Sequence, residues 1–120
     1  MRSSIFMEVC MNIVNKLPFD KFEIWQIDDG SERSPYKFMG YSFLKKHNIS
    51  PLRRDYIKVY EADLGEMDLE DIFVLLNTTR PEGFKGHSLS VSDIVVLKAT
   101  DTGKESAFYV DSFGFKNLPF

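Results

Sequence analysis

The hydrophobic pattern is clearest in the last third of the chain. Two apolar runs, Ile94–Leu97 and Ala107–Phe115, stand on either side of the polar segment Asp101–Lys104. That segment contains aspartate and glycine, which tight turns favour, so the pattern predicts a β-hairpin. We expect this hairpin to close a small domain at its C-terminal end.

A helical pattern occupies the start of the chain. In residues 4–17, apolar side chains recur at four-residue steps: Ile5, Val9, Ile13 and Leu17. Ser4 is available as an N-cap, and Pro18 cannot continue a helix. We therefore expect a short amphipathic helix that forms an N-terminal extension over residues 1–18 and packs on or near the domain.

The segment after Met67 carries the strongest helix signal. Asp68 is a suitable N-cap, and Glu70 and Asp71 place acids in the first turn, where the helix dipole favours them. Apolar residues then share one face at helical spacing: Leu69, Ile72, Phe73 and Leu76. The pattern predicts an amphipathic helix.

Shorter patterns fill the middle of the chain. Strands are predicted over Phe22–Ile27, Tyr36–Met39 and Tyr56–Ala62, the first two joined as a hairpin through a turn at residues 28–30. A helix is predicted over Tyr41–His47, with Asn48 as a left-handed residue at its end. Ser50 and Pro51 have the signature of a further helical turn running to Arg54.

These elements predict one α+β domain. Strands and short helices are interleaved with short loops, which favours a mixed or mostly antiparallel sheet with two to three short helices on one face. No internal repeat or low-complexity linker interrupts the chain. We expect residues 22–120 to form this domain.

Composition narrows the class of protein. The net charge is −3, and aromatic residues make up 14% of the chain, enough to dominate a core and leave some rings for a surface. Cys10 is the single cysteine, which excludes an intrachain disulfide and, with only two histidines, argues against a structural zinc site. No apolar stretch is long enough to span a membrane, and no signal peptide is recognisable. We expect a cytoplasmic protein that needs no cofactor and no metal.

Four long sequence segments, taken in order, resemble the YodL-like domain family across roughly residues 22–120. They are Phe38–His47, Asp55–Glu61, Arg80–Asp93 and Tyr109–Phe115. Such domains occur in Firmicutes and in their phages and conjugative elements, often inside larger proteins. The resemblance implies an accessory protein of a mobile element that acts on host machinery, and it carries over no catalytic residues.

His87 and its neighbours hold the residue types of a nucleophilic triad. Ser88, Ser90, Ser92, Asp93 and Asp111 supply hydroxyls and carboxylates near this imidazole in the sequence. A glycine-flanked nucleophile turn is missing, however, and residue types without geometry are weak evidence of catalysis. The sequence favours short polar side chains that bond the backbone before the strand at Ile94, and we expect no enzyme activity.

An acidic run lies between Glu61 and Asp71, with six acids and no intervening base. The spacing does not match an EF-hand calcium loop. Most of these acids are expected to be solvated or to cap the following helix. A dense acidic surface can also meet a basic partner, so Glu66, Glu70 and Asp71 are candidate protein-binding residues.

A basic segment precedes the acidic run and suggests an alternative function. Its cations are interleaved with tyrosine and phenylalanine, which is typical of nucleic-acid sites: Lys45, Lys46, Arg53, Arg54 and Lys58. The acidic balance of the whole chain, with a pI near 5.3, argues against this function as the principal one.

The C-terminal segment is rich in aromatic residues: Phe108, Tyr109, Phe113, Phe115 and Phe120. Most are expected to pack in the core, but exposed rings near Gly114 suit a protein contact, so Phe113 and Phe115 are candidate anchors. We therefore expect a non-catalytic module that binds and inhibits a host protein. The alternatives are a nucleic-acid-binding accessory domain and a structural module of larger proteins.

Overall fold

The computed structural model describes residues 19–120, in which five strands form one antiparallel sheet. The strands are β1 (Lys21–Ile27), β2 (Tyr56–Asp63), β3 (Ile94–Lys98), β4 (Glu105–Asp111) and β5 (Gly114–Leu118). Their order in the sheet is β2-β1-β3-β4-β5, and every neighbouring pair is antiparallel. The α+β class and the predicted hairpin, formed by β3 and β4, are confirmed. The helix predicted over residues 4–17 lies outside the described residues.

In the described part of the chain, two α-helices accompany the sheet, α1 (Tyr41–Lys46) and α2 (Leu69–Thr78), both close to their predicted positions. The α2 helix begins with a reciprocal capping box. The Asp68 carboxylate accepts from the Asp71 backbone N–H at 2.8 Å, and the Asp71 carboxylate accepts from the Asp68 N–H at 3.0 Å. The acids at the start of this helix thus satisfy N–H groups that have no partner within the helix.

Helices cover both faces of the sheet, which corrects the prediction that they lie on one face. On one face, Phe22 and Ile24 of β1 join a core with Ile72 and Leu76 of α2. On the other, Ile94, Val96 and Tyr109 join a second core with Leu44 of α1. Strands β1 and β3 are central and buried on both sides, which explains their nearly continuous apolar runs.

The strand predicted over Tyr36–Met39 is absent from the described residues, where a 3₁₀ turn at Ser34–Tyr36 and a loop replace it. Both edges of β1 are already occupied by β2 and β3, so no edge is left for a returning strand. Pro35 favours the 3₁₀ turn, and Phe38 has a φ of 69°, which a strand does not accommodate. The helical turn expected from Ser50 is likewise limited to a 3₁₀ turn at Arg53–Asp55.

The second apolar run, Ala107–Phe115, is two strands and not one. It breaks at Ser112 and Phe113, a two-residue connection between β4 and β5, where Asp111 pairs with Gly114. Gly114 has a φ of 108°, a conformation that residues with a Cβ rarely adopt. The C-terminal unit is therefore a three-strand meander.

Several connecting segments meet at one end of the sheet, which we call the loop end. β1 and β4 finish there, and β2, β3 and β5 begin there, as their registers show. The loop end comprises residues 28–40, residues 86–93 and the turn at residues 112–113. The loop end brings together parts of three of the four sequence segments that carry the family resemblance.

Candidate functional site

Gln26 organises the interior of the loop end. It is buried near the end of β1 and faces the segment that leads into β3. Its Oε1 accepts from the His87 backbone N–H at 3.1 Å, and its Nε2 donates to the His87 carbonyl at 2.8 Å. The same Nε2 donates to Asp93 Oδ2 at 3.0 Å. One amide therefore ties β1 to a segment more than 60 residues further along the chain.

Asp93 is a buried carboxyl group with only one of its oxygens in hydrogen bonds. Oδ2 accepts from the Ser90 backbone N–H at 2.8 Å and from Gln26. Oδ1 has no hydrogen-bond partner among the described residues, although Asp93 is only 1% exposed. Burial outweighs these hydrogen bonds and raises the pKa of Asp93 to about 8, because a charge is poorly solvated there.

Ser92 and Phe38 hold the neighbouring loop in place. Both have positive φ angles, 87° and 69°, which are rare for residues other than glycine. The Phe38 N–H donates to Ser92 Oγ at 3.0 Å, and the Tyr56 hydroxyl donates to the Ser92 carbonyl at 2.9 Å. The Tyr109 hydroxyl also donates to the Met39 carbonyl at 2.6 Å. Strained backbone supported in this way gives the loop a defined conformation.

Large apolar side chains are exposed on this rigid end. Phe113, at the turn between β4 and β5, is 95% exposed, and Phe38 is 58% exposed. The Phe38 ring lies 5.5 Å from the His87 ring between centroids, and Met39 beside it is also exposed. The Tyr41 N–H donates to Asp111 Oδ1 at 3.2 Å, which fixes the loop beside the strand that leads to Phe113.

The triad residue types do not assemble as a nucleophilic site within residues 19–120. His87 is half-buried, and its Nδ1 lies 2.7 Å from the Ser88 carbonyl, so this ring nitrogen faces backbone. Ser90 Oγ donates to the same carbonyl, and Ser92 Oγ accepts from Phe38. Among the described contacts, the imidazole meets no serine hydroxyl. The prediction that these polar side chains bond the backbone is confirmed.

The predicted protein-binding residues fall at three different places. Glu66, Glu70 and Phe115 line one groove of about 890 Å³ between the start of α2 and the sheet. Asp71 does not line this groove, and its carboxylate is committed to the capping box of α2. Phe113 lies at the loop end. Phe115 is half-buried against the core of the α2 face, which makes it a packing residue more than an exposed anchor.

Two of the five cations in the predicted nucleic-acid segment form ion pairs with acidic side chains. Lys58 pairs with Glu61 at 3.0 Å and with the buried Glu23 at 3.6 Å. Arg53 pairs with Glu105 at 2.9 Å, and its guanidinium stacks over the rings of Trp25 and Phe120. The ion pairs of residues 19–120 do not include the other three cations of the segment: Lys45, Lys46 and Arg54.

Two features of the site escaped the sequence patterns. Gln26 is a polar residue between Trp25 and Ile27 in a strand buried on both faces, and that position is the signal that could have found it. Phe38 is exposed and has a positive φ angle, neither of which its residue type suggests. No helix within residues 19–120 is both long and apolar enough to cross a bilayer.

Comparison with known proteins supports the resemblance seen in the sequence. The model of a family described as the YodL-like domain matches residues 21–120, nearly the whole chain. Searches of curated proteins and of solved structures returned no match.

Proposed function

We propose, from the premise that this chain belongs to the YodL-like domain family, that it is a non-catalytic module that binds another protein. The observation that carries the proposal is Phe113, a phenylalanine that is 95% exposed on a two-residue turn. Leaving such a ring in water forgoes about 1.5–3 kcal/mol of burial free energy. A protein pocket that receives it regains that free energy.

The geometry around Phe113 suits an anchor. The turn is closed by the pairing of Asp111 with Gly114, so its backbone is already ordered before binding. Binding a preorganised side chain loses less conformational entropy than binding a flexible one. Aromatic residues are also enriched among the side chains that dominate binding energies.

Phe38 and Met39 extend the exposed apolar surface of the loop end. Their loop is held by hydrogen bonds to Ser92 and Tyr109, so these side chains are also presented on a fixed backbone. Large apolar side chains exposed together at one end of a domain are suited to a contact with another protein. We call Phe38, Met39 and Phe113 the aromatic surface.

The proposed partner is a host protein whose activity the binding inhibits. This step rests on the family alone, whose members occur in Firmicutes and their mobile elements. Binding through the aromatic surface would block or distort whatever part of the partner receives Phe113. The proposal needs no cofactor and no chemistry from His87.

A capture experiment tests the proposal. Immobilised protein comprising residues 1–120 is exposed to lysate of a Firmicutes host, with and without nuclease, at low and high salt, beside a Phe113→Ser variant. Val74→Ser is the matched control, since Val74 is 57% exposed on α2 and is not one of the residues that form the loop end. We expect the wild type and Val74→Ser to retain one captured protein after nuclease treatment and at high salt. Phe113→Ser should fail to capture that protein.

Two results would redirect the proposal. Retention that nuclease abolishes, and that falls steeply with salt, would favour nucleic-acid binding through Lys45, Lys46 and Arg54. Equal capture by the wild type and by Phe113→Ser would show that the aromatic surface is not the contact.

A further inference from the structure

The segment of residues 87–91 is attached to the domain mainly through side chains. On one side of it, the Lys85 N–H donates to the Val59 carbonyl at 3.0 Å. On the other side, the Ser92 N–H donates to the Val110 carbonyl at 3.0 Å. Between these two points, no described backbone hydrogen bond joins the segment to a strand or a helix. A segment held in this way can detach without breaking the sheet.

Three contacts supply the attachments that remain. Gln26 pairs with the backbone of His87. The carboxyl group of Asp93 accepts from the Ser90 N–H, and Leu89 is buried in the core of the α2 face. The first two attachments are joined, because Gln26 Nε2 also donates to Asp93 Oδ2 at 3.0 Å. The state of one carboxyl group therefore bears on the whole segment.

Asp93 forms no ion pair within the described part of the chain. Four titratable side chains lie near it on the surrounding elements: Lys37 of the loop at residues 28–40, Tyr56 of β2, Tyr109 of β4 and His87 of the segment itself. Lys37 pairs with Asp29 instead. Burial raises the pKa of both tyrosines, so their hydroxyls are uncharged. The His87 Nδ1 faces the Ser88 carbonyl at 2.7 Å.

An ionised Asp93 would lack both a cation and water in this position. The residue is buried, and its Oδ1 has no hydrogen-bond partner among the described residues. A buried charge without such partners is costly. The neighbouring strands β1 and β3 are fixed by their hydrogen-bond ladders. Detachment of residues 87–91 is therefore the smallest movement that would let water reach the carboxylate.

The Phe38 ring rests on this segment. Its centroid lies 5.5 Å from that of the His87 ring, and its exposed side belongs to the aromatic surface. The turn that carries Phe113 is closed separately, by the pairing of Asp111 with Gly114. Detachment of the segment would thus remove a support of Phe38 and leave Phe113 in place.

We propose that Asp93 is a proton-dependent latch: protonated, it holds residues 87–91 against Gln26, and ionised, it favours their detachment and frees the Phe38 ring. As regulation of the aromatic surface this rests on the proposed function, but the latch itself can be measured without a partner. A hydrated aspartate has its ordinary pKa of 3.8, whereas the buried Asp93 has a pKa of about 8. The attached state is therefore fully favoured below about pH 4, and the equilibrium shifts toward detachment by at most about tenfold per pH unit up to about pH 8.

Hydrogen exchange of the His87 amide reports detachment, because that N–H donates to Gln26 Oε1 when the segment is attached. The control is the Gly103 N–H, which donates to the Ala99 carbonyl at 2.8 Å in the turn between β3 and β4. The ratio of the two exchange rates, His87 over Gly103, cancels the chemical pH dependence that both amides share. In the protein of residues 1–120, we expect this ratio to rise between about pH 6 and 8 and then to level off. A ratio that does not change with pH would overturn the proposal.

Two variants identify the titrating group. Asp93→Asn cannot ionise, and His87→Phe removes the imidazole but keeps the backbone groups that Gln26 binds. We expect the rise to vanish in Asp93→Asn and to persist in His87→Phe. If Asp93→Asn does not fold, His87→Phe alone still decides between the carboxyl group and the imidazole. Loss of the rise in His87→Phe, or its persistence in Asp93→Asn, would overturn the proposal.

A fluorinated phenylalanine shows whether the ring follows the latch. At position 38, we expect its fluorine NMR signal to move over the same pH range and to stay constant in the Asp93→Asn background. At position 113, the signal should stay constant in both backgrounds. A signal at position 38 that is independent of Asp93 would overturn the control of the aromatic surface. Because no partner is present, a failed latch leaves capture through Phe113 standing, and failed capture leaves the latch standing.

Discussion

The side-chain amide of Gln26 pairs with the backbone of His87 as a neighbouring strand would. It accepts from the His87 N–H at 3.1 Å and donates to the His87 carbonyl at 2.8 Å. One residue of β1 thus fixes a loop that carries no regular structure of its own. This clamp links the interior of the domain to the surface that we propose for binding.

Replacing Gln26 with alanine removes three hydrogen bonds at once. The backbone groups of His87 and the carboxyl group of Asp93 then lack their partner in a buried environment, so we expect a loss of about 2–4 kcal/mol in the free energy of unfolding. Chemical denaturation measures it. Asn117→Ala is the control, since that amide is exposed and should cost less than about 1 kcal/mol. Similar losses for the two variants would contradict the importance of the clamp.

Gly86→Ala tests the same clamp from the opposite side. A Cβ at residue 86 would overlap the carboxamide of Gln26, and it would lie 3.1 Å from a methyl group of Val59. We expect a loss of about 1–3 kcal/mol from overpacking. In the Gln26→Ala background the obstructing group is gone, so the same substitution should cost clearly less. Strictly additive losses would show that Gly86 is required for another reason.

Asp93 predicts a pH dependence of stability. Its pKa of about 8 in the folded state exceeds the ordinary aspartate value of 3.8, so between about pH 4 and 8 the folded protein retains a proton that the unfolded chain has already lost. The contribution of Asp93 to stability therefore falls as the pH rises through this window and levels off above it. Asp93→Asn keeps an oxygen for Ser90 and Gln26 but cannot ionise.

The measurement is the difference in unfolding free energy between Asp93→Asn and the wild type across this pH range. Subtraction cancels the other titrating groups. We expect the variant to gain several kcal/mol relative to the wild type by pH 8, with about 6 kcal/mol as the upper bound, since each unit of pKa shift corresponds to about 1.4 kcal/mol. A difference that does not change with pH would mean that Asp93 is ionised throughout.

Substitutions at the capping box of α2 distinguish the acids that stabilise the helix from an acid that is only solvated. Asp68→Ala or Asp71→Ala removes a partner of a helix N–H, and we expect each to cost about 0.5–2 kcal/mol. Glu66→Ala should change the unfolding free energy by less than about 0.5 kcal/mol. Thermal and chemical denaturation of the three variants provide the comparison. An inert Asp71 would contradict the reciprocal cap.

Local signals predicted most of the secondary structure. The N-cap and acids at the start of α2, and the turn residues between β3 and β4, act within a few positions, so the sequence displays them. The strand expected over Tyr36–Met39 failed for a non-local reason, because β2 and β3 already occupy both edges of β1. The short turn at Ser112 and Phe113 was hidden by apolar residues on both sides.

The candidate site was less predictable than the fold. Gln26 and Asp93 are 67 positions apart and meet only because β1 and β3 are adjacent in the sheet. Phe113 and Phe115 were both predicted as anchors; Phe113 is 95% exposed and stays a prediction, whereas Phe115 packs against the core. Phe113 lies in the turn before β5 and Phe115 lies within the strand, so the two rings are placed differently, but this distinction cannot be drawn until the turn is located.

Site-specific photo-crosslinking is the sharpest test of Phe113 as a protein contact. A photoreactive phenylalanine replaces Phe113, or Val74 as the control position, and the protein of residues 1–120 is irradiated in lysate of a Firmicutes host. We expect one discrete crosslinked protein from position 113 and none from position 74. The same products from both positions, or none from position 113, would contradict a protein contact at the aromatic surface.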